Sequence, residues 1–220
     1  MLAIITGLTA EAQIARRLGF PVRAGGGTPE GAEWAAEAMV AAGAKALLSF
    51  GLIGGLDPAL KPGDIVVPHA VVENGRIRPT CAKLSAVLGE ATRGMILAHT
   101  EIVATAAEKA ALAKATLCHA VDLESGAVAR VAERHKLPFA VLRAVCDDAH
   151  RSLPPAASAA LSKRGAIAIT RVAISILGNP RQIPSLIALG RDAGRAREAL
   201  LRRVHQIGFG SLGGGLGGVL

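Results

Sequence analysis

A three-layer α/β sandwich with a mixed, largely parallel central sheet is the fold class that this sequence predicts. Three observations lead there. Short apolar runs alternate along the chain with Ala-rich segments of helical character. The runs are almost uninterrupted, as in strands covered on both faces, and that pattern belongs to parallel sheets with helices on either side. A length of 220 residues with 51% apolar composition suits one large domain with a sizeable core.

The elements follow in order. Residues 2–6 read as a buried strand, and Thr9 can cap a helix that runs through Leu18 to Gly19. The turn Gly25-Gly26-Gly27 precedes a helix over residues 30–42, with Pro29 near its start. Residues 46–50 form the next strand, residues 51–63 a Gly-containing loop, and residues 65–67 a further strand. Asn74-Gly75 between Val71-Val72 and Ile77 is a hairpin signal. Strands are then expected at 96–98, 120–123 and 139–145, and helices at 126–135 and 156–177. The domain is expected to occupy residues 1–207, its last part (178–207) a basic amphipathic helical extension, and the Gly-rich residues 208–220 a disordered tail.

Composition removes several function classes. The formal net charge of +8 suits nucleic acid, an anionic membrane surface or a phosphate-bearing substrate. With four Phe, one Trp and no Tyr, however, the chain lacks stacking platforms for single-stranded nucleic acid, so no nucleic-acid partner is expected. Cys81, Cys118 and Cys146 are scattered without a Cys-x-x-Cys pair, which suggests buried thiols and neither a disulfide framework nor a metal site. No apolar run reaches the roughly 20 residues of a membrane span, and the N-terminus carries no basic leader, so a cytoplasmic protein is expected.

Ligands of open α/β sheets bind beyond the carboxyl ends of the strands. Four polar stretches qualify: Thr6-Gly7 through Glu11, the Gly25-Gly26-Gly27 turn, Asp122 with Glu124, and Asp147 with Asp148. Three carry carboxylates, which suits chemistry in which one acid donates a proton and another steadies a developing cation. Taken singly, each acid can equally be a helix cap or an arginine's partner.

Taken together, the stretches resemble a known family. "VDLESGAVARVAERHKLPFAVLRAVCDDA" is similar to the signature of the nucleoside phosphorylase and nucleosidase superfamily, whose pattern is V-x-M-E-(S/A)-(A/G)-A-x-A followed by V-R-x-(I/V)-S-D. "GLIGGLDPALKPGDIVVP" resembles its Gly-Gly-Leu and Lys-x-Gly-Asp-Ile-Val segment, and "IITGL" with Glu11 its first strand and loop. The matches keep family order from residue 1 to about 175. By segment the nearest branch is the 5'-methylthioadenosine/S-adenosylhomocysteine nucleosidases, while the short length, "GLTAEAQIARRLG" and "GRDAGRAREALLRR" resemble the hopanoid-associated phosphorylases.

The resemblance implies the nucleoside phosphorylase fold and cleavage of a purine nucleoside's N-glycosidic bond with release of adenine. It assigns Asp147 the proton for the departing base, Glu124 the ribose hydroxyls and the sugar cation, and Glu11 the attacking nucleophile. Leu123, Ile102, Val103, Gly54 and Gly55 would line the sugar and base pocket, with Arg143 positioning the carboxylates. Cys146 stands where the family usually has Ser, Leu123 where it has Met, and Leu52 where it often has a hydroxyl. The branch implies phosphorolysis of adenosylhopane in hopanoid biosynthesis; hydrolysis of methylthioadenosine or another soluble purine nucleoside is the alternative. No organic cofactor or metal is implied, inorganic phosphate is a possible co-substrate, and relatives are commonly homo-oligomers.

Phosphate would need a cradle. Gly25, Gly26 and Gly27 with Arg23 beside them offer free amides and a counter-charge, although three glycines equally make a tight turn. In residues 181–205, leucines and isoleucines interleave with arginines. Such a helix either lies on an anionic membrane as a peripheral contact on its cytoplasmic face, or packs on the body or a twin subunit.

Overall fold

The computed structural model describes residues 1–89, 94–155, 157 and 178–208. A nine-stranded sheet forms the middle layer, in the order β2-β1-β3-β8-β7-β5-β6, with β9 paired to β3 and to β4. The strands are β1 (Leu2–Thr6), β2 (Val22–Ala24), β3 (Ala46–Gly55), β4 (Ile65–Val66), β5 (Ala70–Glu73), β6 (Arg76–Pro79), β7 (Met95–Ala98), β8 (Ala120–Asp122) and β9 (Phe139–Asp147). Parallel ladders join β1 to β2 and β3, β3 to β9, and β7 to β5 and β8. Antiparallel ladders join β3 to β8, β4 to β9 and β5 to β6, so the sheet is mixed and mostly parallel, as expected.

Helices cover both faces. On one, α2 (Pro29–Ala41) and α5 (Ser125–Arg134) pack their Ala32, Ala35, Val128 and Val131 against Ile5, Leu47 and Val141. On the other, α1 (Thr9–Ala15), α3 (Ala82–Val87) and α6 (Ile183–Gly208) place Ile14, Leu84, Leu200 and Val204 against Leu48, Phe50 and Leu142. A further helix, α4 (Ala106–Thr116), begins at Thr105, whose hydroxyl caps the Glu108 amide while the Glu108 carboxylate returns to the Thr105 amide.

Two expectations need correction. The first half of the predicted loop 51–63 is strand: β3 runs on to Gly55 because β9 accompanies it from Leu47↔Phe139 to Gly54↔Asp147, satisfying backbone groups that a glycine-rich stretch would otherwise leave open. The helix start is Leu8, with Thr9 already inside α1. Of the thiols, Cys118 is buried and Cys81 and Cys146 are half-buried. The C-terminal helix packs on the body, with Ala196, Leu200 and Val204 at 0%, 0% and 1% exposure, while Ile183 and Ile187 of its first turns remain exposed. The expected helix at 156–177 and most of the Gly-rich tail lie outside the described residues.

Candidate active site

Glu11 lies in the first turn of α1 and is 4% exposed. Its Oε2 accepts the Leu8 amide at 2.8 Å and its Oε1 accepts the Leu52 amide of β3 at 2.9 Å. One bond satisfies a free amide at the helix N-terminus; the other ties the carboxylate across to the sheet. Ala12, the neighbouring residue, packs into the core instead.

Arg143 of β9 is the hub of the site, at 1% exposure. Its Nη2 approaches Asp122 Oδ2 at 2.8 Å and Glu124 Oε2 at 3.0 Å, and donates to Ser49 Oγ at 2.8 Å; its Nη1 donates to the Leu52 carbonyl at 3.2 Å. Asp122 accepts both the amide and the hydroxyl of Ser125, the first residue of α5. Asp122 therefore holds the arginine from behind; as the last residue of β8 it faces into the site, not away from it.

Glu124 immediately precedes α5 without a side-chain capping bond, and stands against Gly7, where a Cβ would lie 2.5 Å from Oε1. Glycine is required there because a side chain would displace the carboxylate. Burial pushes the Glu124 carboxyl up to about 7; the charges of Asp122 and Glu11 add to that, and Arg143 opposes it. Gly51 has the matching role for Glu11, since a Cβ there would meet both Glu11 Oε1 and Arg143 Nη1 at 2.7 Å.

Asp147 ends β9 and is 6% exposed. Its Oδ2 accepts from Lys109 Nζ, and its Oδ1 accepts from Cys146 Sγ at 3.2 Å. The Cβ position of Gly54 lies 3.4 Å from Oδ1, an ordinary contact, so β3 runs directly beside the acid. Burial, with Asp147 alongside, pushes the Cys146 thiol well above its usual range, so it stays protonated and able to donate.

A cavity of about 480 Å³ opens beside these groups. Asp122, Glu124 and Asp147 line it, together with Leu123, Ile102, Val103 and Gly54, while Glu11 and Arg143 are not in its lining and reach it through Leu52, Asp122 and Glu124. Nor does Gly55 line it: its Cβ position is 3.2 Å from the Asp147 carbonyl oxygen, so it serves the close approach of β3 and β9. The far wall is supplied by Leu186 and Leu189 of α6 and by Leu153.

The glycine turn is only partly a cradle. The Gly25 amide is bonded to the Thr6 carbonyl and the Gly26 amide to the Gly7 carbonyl, each at 2.8 Å, so these two amides are not free for phosphate. Gly25 also lies against the start of α2, where a Cβ would be 2.6 Å from the Ala32 amide nitrogen. Gly27, at φ +76°, has its amide unbonded among the described residues, and its Cβ position is 4.0 Å from Glu124 Oε1. The Arg23 guanidinium lies over the Trp34 ring at 4.0 Å, engaged there and not with the turn.

Lys109 was not foreseen. It sits among alanines in α4 and reads as a solvated helix residue, yet it is 1% exposed. The signal that points to it is its spacing from Leu112 and Ala113, which puts the three on one buried face of the helix. Asp122 and Ser49 were likewise legible only as members of strand ends.

A family model described as the phosphorylase superfamily matches residues 21–177. The chain belongs to that superfamily. The Helicobacter pylori 5'-methylthioadenosine/S-adenosylhomocysteine nucleosidase is 16% identical with a TM-score of 0.66, covering 93% of this chain and 97% of that one. The Helicobacter pylori futalosine hydrolase has the same four values. The Colwellia psychrerythraea methylthioadenosine/S-adenosylhomocysteine nucleosidase is 19% identical with a TM-score of 0.63, covering 80% of this chain and 94% of that one. Curated protein sequences give no match. As a phosphorylase superfamily member the protein is an enzyme of nucleoside phosphorylase or nucleosidase type.

Proposed function

We propose that the protein releases adenine from an adenine nucleoside whose 5' substituent is apolar, with adenosylhopane as the substrate and phosphate as the acceptor. The observation that carries this reading is the lining of the cavity. One end is lined by Glu124 and Asp122, with Arg143 and Glu11 behind them, Arg143 on both carboxylates and Glu11 on the Leu52 amide, an arrangement suited to ribose hydroxyls and an oxocarbenium-like sugar; Asp147, a proton donor for purine N7, also lines the cavity. Apart from Glu101 and Lys109 the remaining side chains of the lining are mostly aliphatic, and Leu186 and Leu189 of α6 belong to it, which favours an apolar 5' group over a charged one. The adenine bound in the Colwellia structure supports the choice of base. The reaction requires charge stabilisation and one proton transfer, and so no metal or organic cofactor.

A specific observation favours a second reading, hydrolysis of methylthioadenosine or a similar soluble nucleoside. Two of the three glycine amides are already bonded and Arg23 is held by Trp34, leaving Gly27 as the remnant of the phosphate cradle. Adenine release from adenosylhopane and from methylthioadenosine, each with and without phosphate, separates the two. Phosphate-dependent release with a preference for adenosylhopane is the expected result; equal rates without phosphate leave the hydrolase. In either case Asp147→Asn should lower kcat by about 10²–10⁴-fold, and full activity in that variant removes both readings.

A lipid-linked substrate places the enzyme at the cytoplasmic face of a membrane. Ile183 and Ile187 are exposed at the open end of α6, with Arg181, Arg191 and Arg195 nearby in sequence. Flotation with anionic vesicles should be lost on combining Ile183→Asp with Ile187→Asp; unchanged flotation of that variant defeats the membrane contact.

A further inference from the structure

We propose that Lys109 is the positioning residue for departure of the base, acting through Asp147. The geometry is unusual for a lysine. At 1% exposure its ammonium has lost water and has a protein acceptor for each of its N–H bonds: Asp147 Oδ2, the Asp148 carbonyl at 2.7 Å and the Arg151 carbonyl at 3.2 Å. The head group is thereby fixed in place. Arg151 is itself anchored by an ion pair with Asp192 of α6 at 2.6 Å, so the helix that walls the cavity also supports the lysine's seat.

Two consequences follow for the acid. With Oδ2 taken by Lys109, Asp147 is left with Oδ1 for the ligand side, the oxygen beside Gly54 and the Cys146 thiol. When the base leaves, the Asp147 Oδ1–H bond breaks and an N7–H bond forms, while the C1'–N9 bond breaks and its electron pair passes into the purine ring; C1' takes its new bond from an oxygen of phosphate, or from water, which then loses a proton to solvent. The carboxylate produced by that transfer appears next to the Lys109 ammonium, which the Asp148 and Arg151 carbonyls hold in place. Lys109 thus favours the transition state over the ground state without touching the sugar.

The inference rests on the reading of Asp147 as proton donor, and its test is chosen to separate the two. Adenine release from whichever of adenosylhopane and methylthioadenosine the wild type cleaves faster needs protonation of the leaving group; 4-nitrophenyl β-D-ribofuranoside carries a leaving group that departs unprotonated. Lys109→Met should lower kcat for the nucleoside about 100-fold with KM changed less than about threefold, and lower kcat for the nitrophenyl riboside less than about threefold. The ratio of the two rates is unaffected by any loss of folded enzyme. Lys109→Arg, which keeps the charge, should recover roughly tenfold of the nucleoside rate. Parallel losses on both substrates, or no loss on either, overturn the role of Lys109. If Asp147→Asn also spares neither or both substrates equally, the reading of Asp147 falls with it; if Asp147→Asn is selective and Lys109→Met is not, only the present inference falls.

Discussion

At the scale of single residues the site is governed by how charge is buried. Burial raises the Glu124 carboxyl, and its titration links stability to chemistry in opposite directions. Its value is near 4.5 in the unfolded chain and about 7 in the fold, so between those values the folded state binds the extra proton. Its contribution to stability is fully present below about pH 4.5 and is lost as pH rises through about 7, amounting to up to about 3 kcal/mol. Urea unfolding across that window should show the decline in the wild type and a flatter profile in Glu124→Gln. Catalysis needs the ionised form to face the sugar cation, so kcat/KM should rise through about pH 7 over the range in which stability falls. Of these residues, Glu124 and Asp147 were legible because they stand in family order at strand ends; Lys109 was not, because burial of a helix lysine is decided by what packs on the helix. For Arg23 and the glycine turn the sequence left cradle and tight turn open, because it shows an amide or a cation but not the local partner that occupies it.

At the scale of elements, α6 carries two faces with different duties. Its later residues, Leu200 among them, are core for the sheet, while its earlier residues Leu186 and Leu189 are cavity wall. Leu200→Ala should therefore lower unfolding free energy by about 2–5 kcal/mol, and Ile187→Ala, at 52% exposure, by less than about 0.5 kcal/mol; denaturant titration distinguishes them. Equal small effects would show that the helix is not docked as described. The amphipathic pattern was plain in the sequence, but the choice between bilayer and body was not, since both partners are apolar and only the presence of an uncovered sheet face settles which one the helix meets. The same holds for β3: Gly51, Gly54 and Gly55 look like punctuation until β9 is known to run beside them.

At the scale of the whole molecule, alternation of apolar runs with helical segments was enough for the layered architecture and the mixed sheet, because every strand buried on both faces demands cover. What it did not contain was strand order, which depends on contacts between segments far apart in the chain, such as the β3–β9 pairing of Leu47 with Phe139. The cavity lies among β3, β8, β9, α4 and α6, so a ligand in it bridges most of the fold. A nucleoside analogue at 100 times its Kd should add about 2.7 kcal/mol and raise Tm by roughly 5–10 °C. A thermal shift assay with adenine alone, the smaller ligand, should need higher concentrations for the same displacement, and no shift with either would place the ligand elsewhere.

The long third strand has one more implication. Gly51 makes room for Glu11 and Arg143, and Gly54 lies beside Asp147, so the two ends of the proposed site, for sugar and for base, are both gauged from the same strand. Three steps along extended backbone are about 10 Å. The strand is in effect a ruler laid alongside the substrate, with the interruption of register between Ile53 and Gly54 as its fine adjustment. Adding or removing one residue within 51–54 would do more than weaken the protein: it would recalibrate the separation of its two working ends, and with it the size of nucleoside that spans both at once.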